Sequence, residues 1–223
     1  MSSAKARLLS ILLALAFLPG CDRAANVLGR DPYSEASFDR WLAQDGVRKE
    51  AFDRFEAFLA EQGVAEVVPA WQLLRTDANY AVRCGFGAFE MPPEEKWAEI
   101  VPTLRLVEQE VIPVVGRVEV SASNRSDELN DCVNGARGSR HLAFAAVDLV
   151  APDRADNRKL VADLCAMHRR VGARTGMGLG AYFDPAKPVA SRHGRFHIDQ
   201  SGYRTWGFDY HRASSYCVTM RQT

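Results

Sequence analysis

The chain lacks an excess of charge of either sign. It carries 28 Lys and Arg against 28 Asp and Glu, a formal net charge of zero. No basic field argues for nucleic acid or an anionic lipid surface as partner. After the first residues, no apolar run approaches the roughly 20 residues that span a bilayer. Internal repeats and low-complexity tracts are missing too. The glycine-rich stretch Gly172 to Gly180 has neither the strand–turn–helix setting nor the lysine of a phosphate loop, which argues against nucleotide binding. No two cysteines show C-x-x-C spacing, so a four-cysteine zinc site is a weak reading. Nothing places a base and an orienting acid around Ser139 as a serine nucleophile needs.

The N-terminus has what the rest lacks. Lys5 and Arg7 precede the apolar run Leu8 to Leu18, which is too short for a stable membrane span. Leu18-Pro19-Gly20-Cys21 follows and resembles the bacterial lipobox, with Cys21 as the lipidated residue; the alternative is ordinary cleavage to a soluble periplasmic protein. Residues 1–20 are thus expected to be a lipoprotein signal, and the only membrane contact an N-terminal lipid anchor. The remaining Cys84, Cys132, Cys165 and Cys217 fit two disulfides in an oxidising compartment, with all three pairings open.

The mature chain divides by texture into a tether with a helical region over 21–112 and an α+β domain over 113–223. Ala24 to Ser34 reads as the tether. Ala51, Phe52, Phe55, Phe58 and Leu59 share one face of a helix expected over Arg48 to Gln62, which Gly63 ends. Trp97, Ile100, Leu104, Val107 and Val111 recur at helical spacing after Pro92 and Pro93. Strands are expected at Arg117 to Ser121, Leu142 to Val150, Gly176 to Phe183 and Arg195 to Asp199, and a helix over Arg158 to Val171. The expected fold class is α+β: a small antiparallel sheet with flanking helices, preceded by a helical N-terminal extension. His168, beside Arg169 and Arg170, reads as a solvated helix end, and His211 as a surface residue.

Two segments carry metal-ligand chemistry. His141 ends a Gly/Ser loop, and Asp148 follows on a strand seven residues on. In Phe196-His197-Ile198-Asp199, His197 and Asp199 share one strand face, with Phe196 and Ile198 turned to the core. Two imidazoles and a carboxylate make a three-ligand set with an open fourth position, the catalytic form of a zinc site.

Three motifs, taken together, resemble the D-alanyl-D-alanine metallopeptidase family: Ser121-Ala122-Ser123-Asn124-Arg125-Ser126-Asp127-Glu128-Leu129-Asn130, then Ser139 to Asp148, then His197-Ile198-Asp199. They cover about the last half of the chain. Gly178-Leu179-Gly180 and Gly202 to Trp206 are similar to the branch containing murein endopeptidases. The resemblance implies a peptidase-like catalytic fold, zinc on His141, Asp148 and His197, and Arg125 on the oxyanion formed at the scissile carbonyl. Ser139 would shape the loop before His141. The implied substrates are peptidoglycan stem peptides, cut by D,D-carboxypeptidase or cross-link endopeptidase action.

This sequence departs from the family pattern twice. Phe144 replaces a glycine and is expected to close or reshape the cleft. Gly194 stands where several branches carry an acidic general base, which leaves His193 or Asp199 for that role, with His193 favoured and Asp199 orienting His197. These departures sustain an alternative: a catalytically impaired peptidoglycan-binding or scaffold lipoprotein of the same fold.

Overall fold

Asp45 starts the first long helix. Its carboxylate accepts hydrogen bonds from the backbone N–H groups of Val47 and Arg48, which would otherwise lack partners at a helix start. The helix therefore runs Gly46–Glu61 (α2), slightly ahead of the phenylalanine stripe that predicts it, and buries Phe52, Phe55 and Leu59. A shorter helix, Glu35–Leu42 (α1), precedes it and lays Phe38 edge-on against Phe52 at 5.0 Å. The computed structural model describes residues 31–78, 80–182 and 194–219. The export signal, Cys21, most of the tether, Phe183 and His193 lie outside the described residues.

The tryptophan-led stripe forms Trp97–Leu106 (α3), a π-helical turn Val107–Val111, and Ile112–Val115 (α4). Pro113 has no N–H to give the carbonyl four residues back, so the ladder slips by one position there. A further helix, Asp127–Cys132 (α5), is capped by the Ser126 hydroxyl. The longest, Asn157–Thr175 (α6), is capped by Asp156, and Tyr216–Thr219 (α7) closes the described chain.

Five strands form one sheet: Glu119–Ala122 (β1), Ala146–Val150 (β2), Gly178–Ala181 (β3), Phe196–Asp199 (β4) and Arg204–Trp206 (β5). Their order is β1-β2-β4-β3-β5, antiparallel except for the β3–β5 pair. The fold is thus α+β, a small, mostly antiparallel sheet with flanking helices. Val147, Leu149, Leu179, Phe196 and Ile198 are buried in the core, where α3 packs on β2 and β4, and α6 on β3. One hydrophobic cluster extends from Phe38 to Cys217, so the segments on either side of position 113 share a core. Residues Pro32–Thr223 form a single unit.

The stretch between α2 and α3 covers the free edge of β1. Gln72 accepts from the Val120 N–H at 2.9 Å, Ala78 N–H donates to Ser121 O, and Ser123 N–H donates to Arg75 O. An edge covered this way cannot pair with another chain. Two disulfides, Cys84–Cys132 and Cys165–Cys217, resolve the pairing. Disulfides persist in oxidising compartments, which fits an extracytoplasmic protein. Among the described residues, no helix is long and apolar enough to cross a membrane.

Two expectations need correction. His168 is buried, not a solvated helix end: α6 continues past it to Thr175, and its ring stacks on Tyr203 at 4.6 Å while bonding Met177 O. Gly172 leaves room for that stack, because a Cβ there would meet the Tyr203 ring at 2.7 Å. The strand expected from Leu142 begins only at Ala146, since Arg140–Ala143 is a 3₁₀ turn closed by Phe144 in the left-handed conformation, φ 55°.

Candidate metal centre

The sheet register builds the site. Asp148 on β2 lies opposite His197 on β4, His197 opposite Gly180 on β3, and Gly180 opposite Trp206 on β5. Directly opposed residues point to the same face of a sheet, so these four form a row across four strands. A second row lies two residues along: Asp199, Gly178 and Arg204. The glycines make both rows possible. A Cβ on Gly180 would meet the Trp206 indole at 2.4 Å, and one on Gly178 would meet Asp199 Oδ2 at 2.6 Å. Trp206 therefore approaches His197, ring centroids 5.1 Å apart, and Arg204 reaches Asp199 at 2.6 Å.

His141 enters from the 3₁₀ turn and is held from two sides by the segment after β1. Its Nδ1 is 2.7 Å from Ser123 O, and its backbone carbonyl accepts from the Arg125 N–H. A carbonyl only accepts, so Nδ1 carries the proton and Nε2 presents a lone pair. His197 is held the same way from outside. Its Nε2 donates to Asp199 Oδ2 at 3.0 Å, and its Nδ1 turns inward toward His141 and Asp148. His141 Nε2 and His197 Nδ1 stand 3.1 Å apart, with Asp148 Oδ1 at 3.3 Å and 2.9 Å from them. Two imidazole nitrogens and a carboxylate oxygen thus converge on one buried point, where a cation can replace the proton that otherwise joins His197 Nδ1 to Asp148. His141, Asp148 and His197 form a group that can hold a metal ion.

The surrounding charges tune these three side chains. Burial pushes His141 below its ordinary value, helped by the Arg125 guanidinium. Burial opposes protonation of His197 too, but its hydrogen bonds to Asp148 and Asp199 outweigh it and hold the ring above its ordinary value. Burial disfavours the charged form of Asp148, yet its cationic neighbours, Arg195 among them, hold it well below the carboxylate range. Asp199 is pushed down to about 2, burial being outweighed by His197 and Arg204.

Arg125 sits beside the triad and lines the cavity above it. Its Nη2 lies 2.8 Å from Asp77 Oδ2 and 3.3 Å from Asp148 Oδ2, so it also braces the carboxylate oxygen that faces away from the histidines. Asp199 is committed between His197 and Arg204, which makes it an orienting group. Gly194 is excluded as a site for an acidic side chain: its φ is +51°, and a Cβ would meet Asn157 Oδ1 and Leu160 Cδ2 at 2.7 Å. Phe144 does not reshape the cleft as expected. Its ring is fully buried in the core against Phe55, 6.0 Å between centroids, and a glycine would suit that left-handed position without strain.

Sequence reasoning missed Asp77 and Arg195. Arg195 Nη1 lies 3.6 Å from Asp148 Oδ2 and 3.8 Å from Asp77 Oδ2, and its guanidinium lies over Tyr182. The signal for Arg195 was present, because positions 195, 197 and 199 alternate onto one face. No local signal marks Asp77, which meets Arg125 across 48 positions of chain. Ser139 lines the cavity at the start of the His141 turn, and Asn130 holds the adjacent lip through Ala136 O. Tyr182, Trp206 and Tyr210 complete an aromatic wall to a cavity of about 350 Å³. Compared with known proteins, the chain matches no family model, no curated protein and no solved structure, so the converging ligands, rather than kinship, carry the functional reading.

Proposed function

We propose that the chain is a zinc-dependent hydrolase of peptide bonds in peptidoglycan stem peptides, held at the bacterial envelope by a lipid on Cys21. The observation that carries this reading is the convergence of His141 Nε2, Asp148 Oδ1 and His197 Nδ1 at the base of an open cavity lined by Arg125. Two histidines and an aspartate suit zinc, and three protein ligands leave a position for substrate. The resemblance of the three motifs to D-alanyl-D-alanine metallopeptidases supports the substrate class. Disulfides support the same compartment as peptidoglycan.

When bound, zinc supplies Lewis-acid polarisation of a carbonyl and acidifies water. The protein's own groups do the rest. Ser123 O and Asp199 fix the two imidazoles in the tautomers that present lone pairs inward. Arg125 offers a fixed positive charge to the oxygen on which negative charge develops. Trp206 and Tyr182 wall the cavity and exclude water around the substrate. His193 is the proposed general base.

A second reading, a binding or scaffold protein that holds the metal without hydrolysis, is favoured by one observation: position 194 has no room for an acidic base. Zinc content and muropeptide release, measured for the wild type and for His197→Ala, separate the two. Hydrolysis predicts bound zinc and product in the wild type and neither in the variant. Bound zinc with no product from any muropeptide would establish the second reading.

A further inference from the structure

A second cavity, of about 420 Å³, adjoins the metal cavity along β5, sharing Arg204, Thr205 and Arg212 with it. Its other lining residues include His168, Arg169 and Tyr203. Among the described residues, every ionisable side chain lining either cavity is basic, histidine or tyrosine, and none is Asp or Glu. That bias is pronounced in a chain with balanced charges. The acids beneath and beside the cavities are occupied: Asp148 and Asp77 face Arg125, Asp199 faces Arg204 and His197, and Asp209 accepts from the Ser214 hydroxyl and the His211 N–H. Arg140, Arg169 and Arg212 have no ion-pair partner among the described residues, whereas Arg204 is paired with Asp199.

We propose that this groove is a carboxylate-binding subsite that holds an acidic peptide along β5, beyond the residues at the metal. Arg140 and Arg212 flank the metal cavity, and Arg212 and Arg169 continue the positive lining past the strand. A guanidinium takes a carboxylate in two parallel hydrogen bonds and stays charged at any working pH. Low-dielectric walls, here Trp206, Tyr203 and Tyr210, strengthen the field in a cleft lined by one sign of charge. Exposed aromatic faces beside the guanidinia also offer contact to the peptide backbone. Tyr203 is 48% exposed and Tyr210 46%. The inference rests on the hydrolase reading only for the claim that the bound peptide is substrate; binding itself is read without turnover.

The test uses the whole protein, with and without zinc, and tetraglutamate as probe, with tetraglutamine as the uncharged control, in titration calorimetry at low salt. Tetraglutamate is expected to bind about ten-fold more tightly than tetraglutamine, and added salt should erode the difference. Arg169→Gln and Arg212→Gln should each weaken tetraglutamate about three- to ten-fold, while Arg54→Gln, which alters an exposed pair with Glu94, should leave it unchanged. Equal binding of the two peptides would overturn the proposal. So would full affinity in Arg169→Gln with loss only in Arg140→Gln, which would confine recognition to the metal cavity. Inorganic phosphate that displaces tetraglutamate at matching concentration would show a generic anion site and overturn the peptide assignment. Because the probe is also titrated into zinc-free protein, failure of the metal reading leaves this result intact, and the reverse holds as well.

Discussion

At the residue scale, the site is a set of tautomer decisions. Ser123 O and Asp199 each accept a hydrogen bond from one imidazole N–H, which turns the other nitrogen of each ring toward Asp148. His141→Ala and Asp148→Ala are therefore expected to abolish zinc binding, read by metal analysis after gel filtration. Arg125→Ala should keep zinc at about ten- to a hundred-fold weaker affinity, because the guanidinium supports Asp148 without being a ligand. It should also lower turnover by more than zinc saturation restores. Turnover fully recovered by added zinc would reduce Arg125 to a support for Asp148. Asp77→Asn loosens the same guanidinium from its other carboxylate partner and should weaken zinc in the same direction. Protons compete with the metal for these nitrogens. His197 is held above its ordinary value by Asp148 and Asp199, so the proton competes more strongly there as pH falls. Zinc affinity is expected to drop steadily from mildly alkaline to mildly acidic pH. A flat profile across that range would show that His197 is not a ligand.

At the element scale, the strand pattern made much of this legible before any coordinates. The alternation in Phe196-His197-Ile198-Asp199 places both polar side chains on one face, and that is how β4 lies. The helical stripes of α2 and α6 were equally readable, because a 3.6-residue period needs no partner to be recognised. What stayed hidden depends on contacts between distant elements. β5 is too short to show a period, and the burial of His168 depends on Tyr203, which arrives from another element. The glycines of β3 are understood only once β5 and β4 lie beside them. Gly180→Ala is expected to push Trp206 away from His197 and to lower both stability and zinc affinity. Gly138→Ala, at a site with nothing within 4 Å of the added Cβ, should do neither. Denaturant titration and zinc competition on the two variants provide the check. Phe144→Gly removes left-handed strain of about 1 to 2 kcal/mol but also a fully buried ring worth about 3 to 5 kcal/mol. Net destabilisation of about 1 to 4 kcal/mol is expected by urea unfolding.

At the scale of the whole molecule, the two disulfides give a comparison that separates general stability from site construction. Their sequence separations are nearly equal, 48 and 52 residues. Loop-closure entropy depends on that length, so removing either should cost a similar amount, at most about 4 kcal/mol. Their positions differ. Cys84–Cys132 joins the segment that carries Asp77 to α5, which directly follows Arg125, and so draws together the two partners of a buried ion pair. Cys165–Cys217 joins α6 to α7, and neither helix carries one of the three converging residues or the Asp77–Arg125 pair. The paired substitution of Cys84 and Cys132 by Ala should therefore lower zinc affinity as well as the urea midpoint. The same change at Cys165 and Cys217 should lower the midpoint by a comparable amount and leave zinc affinity close to wild type under conditions where both proteins remain folded. Equal loss of zinc from the two variants would mean that the metal responds to global stability alone. The Asp77–Arg125 pair would then have no special claim on the site.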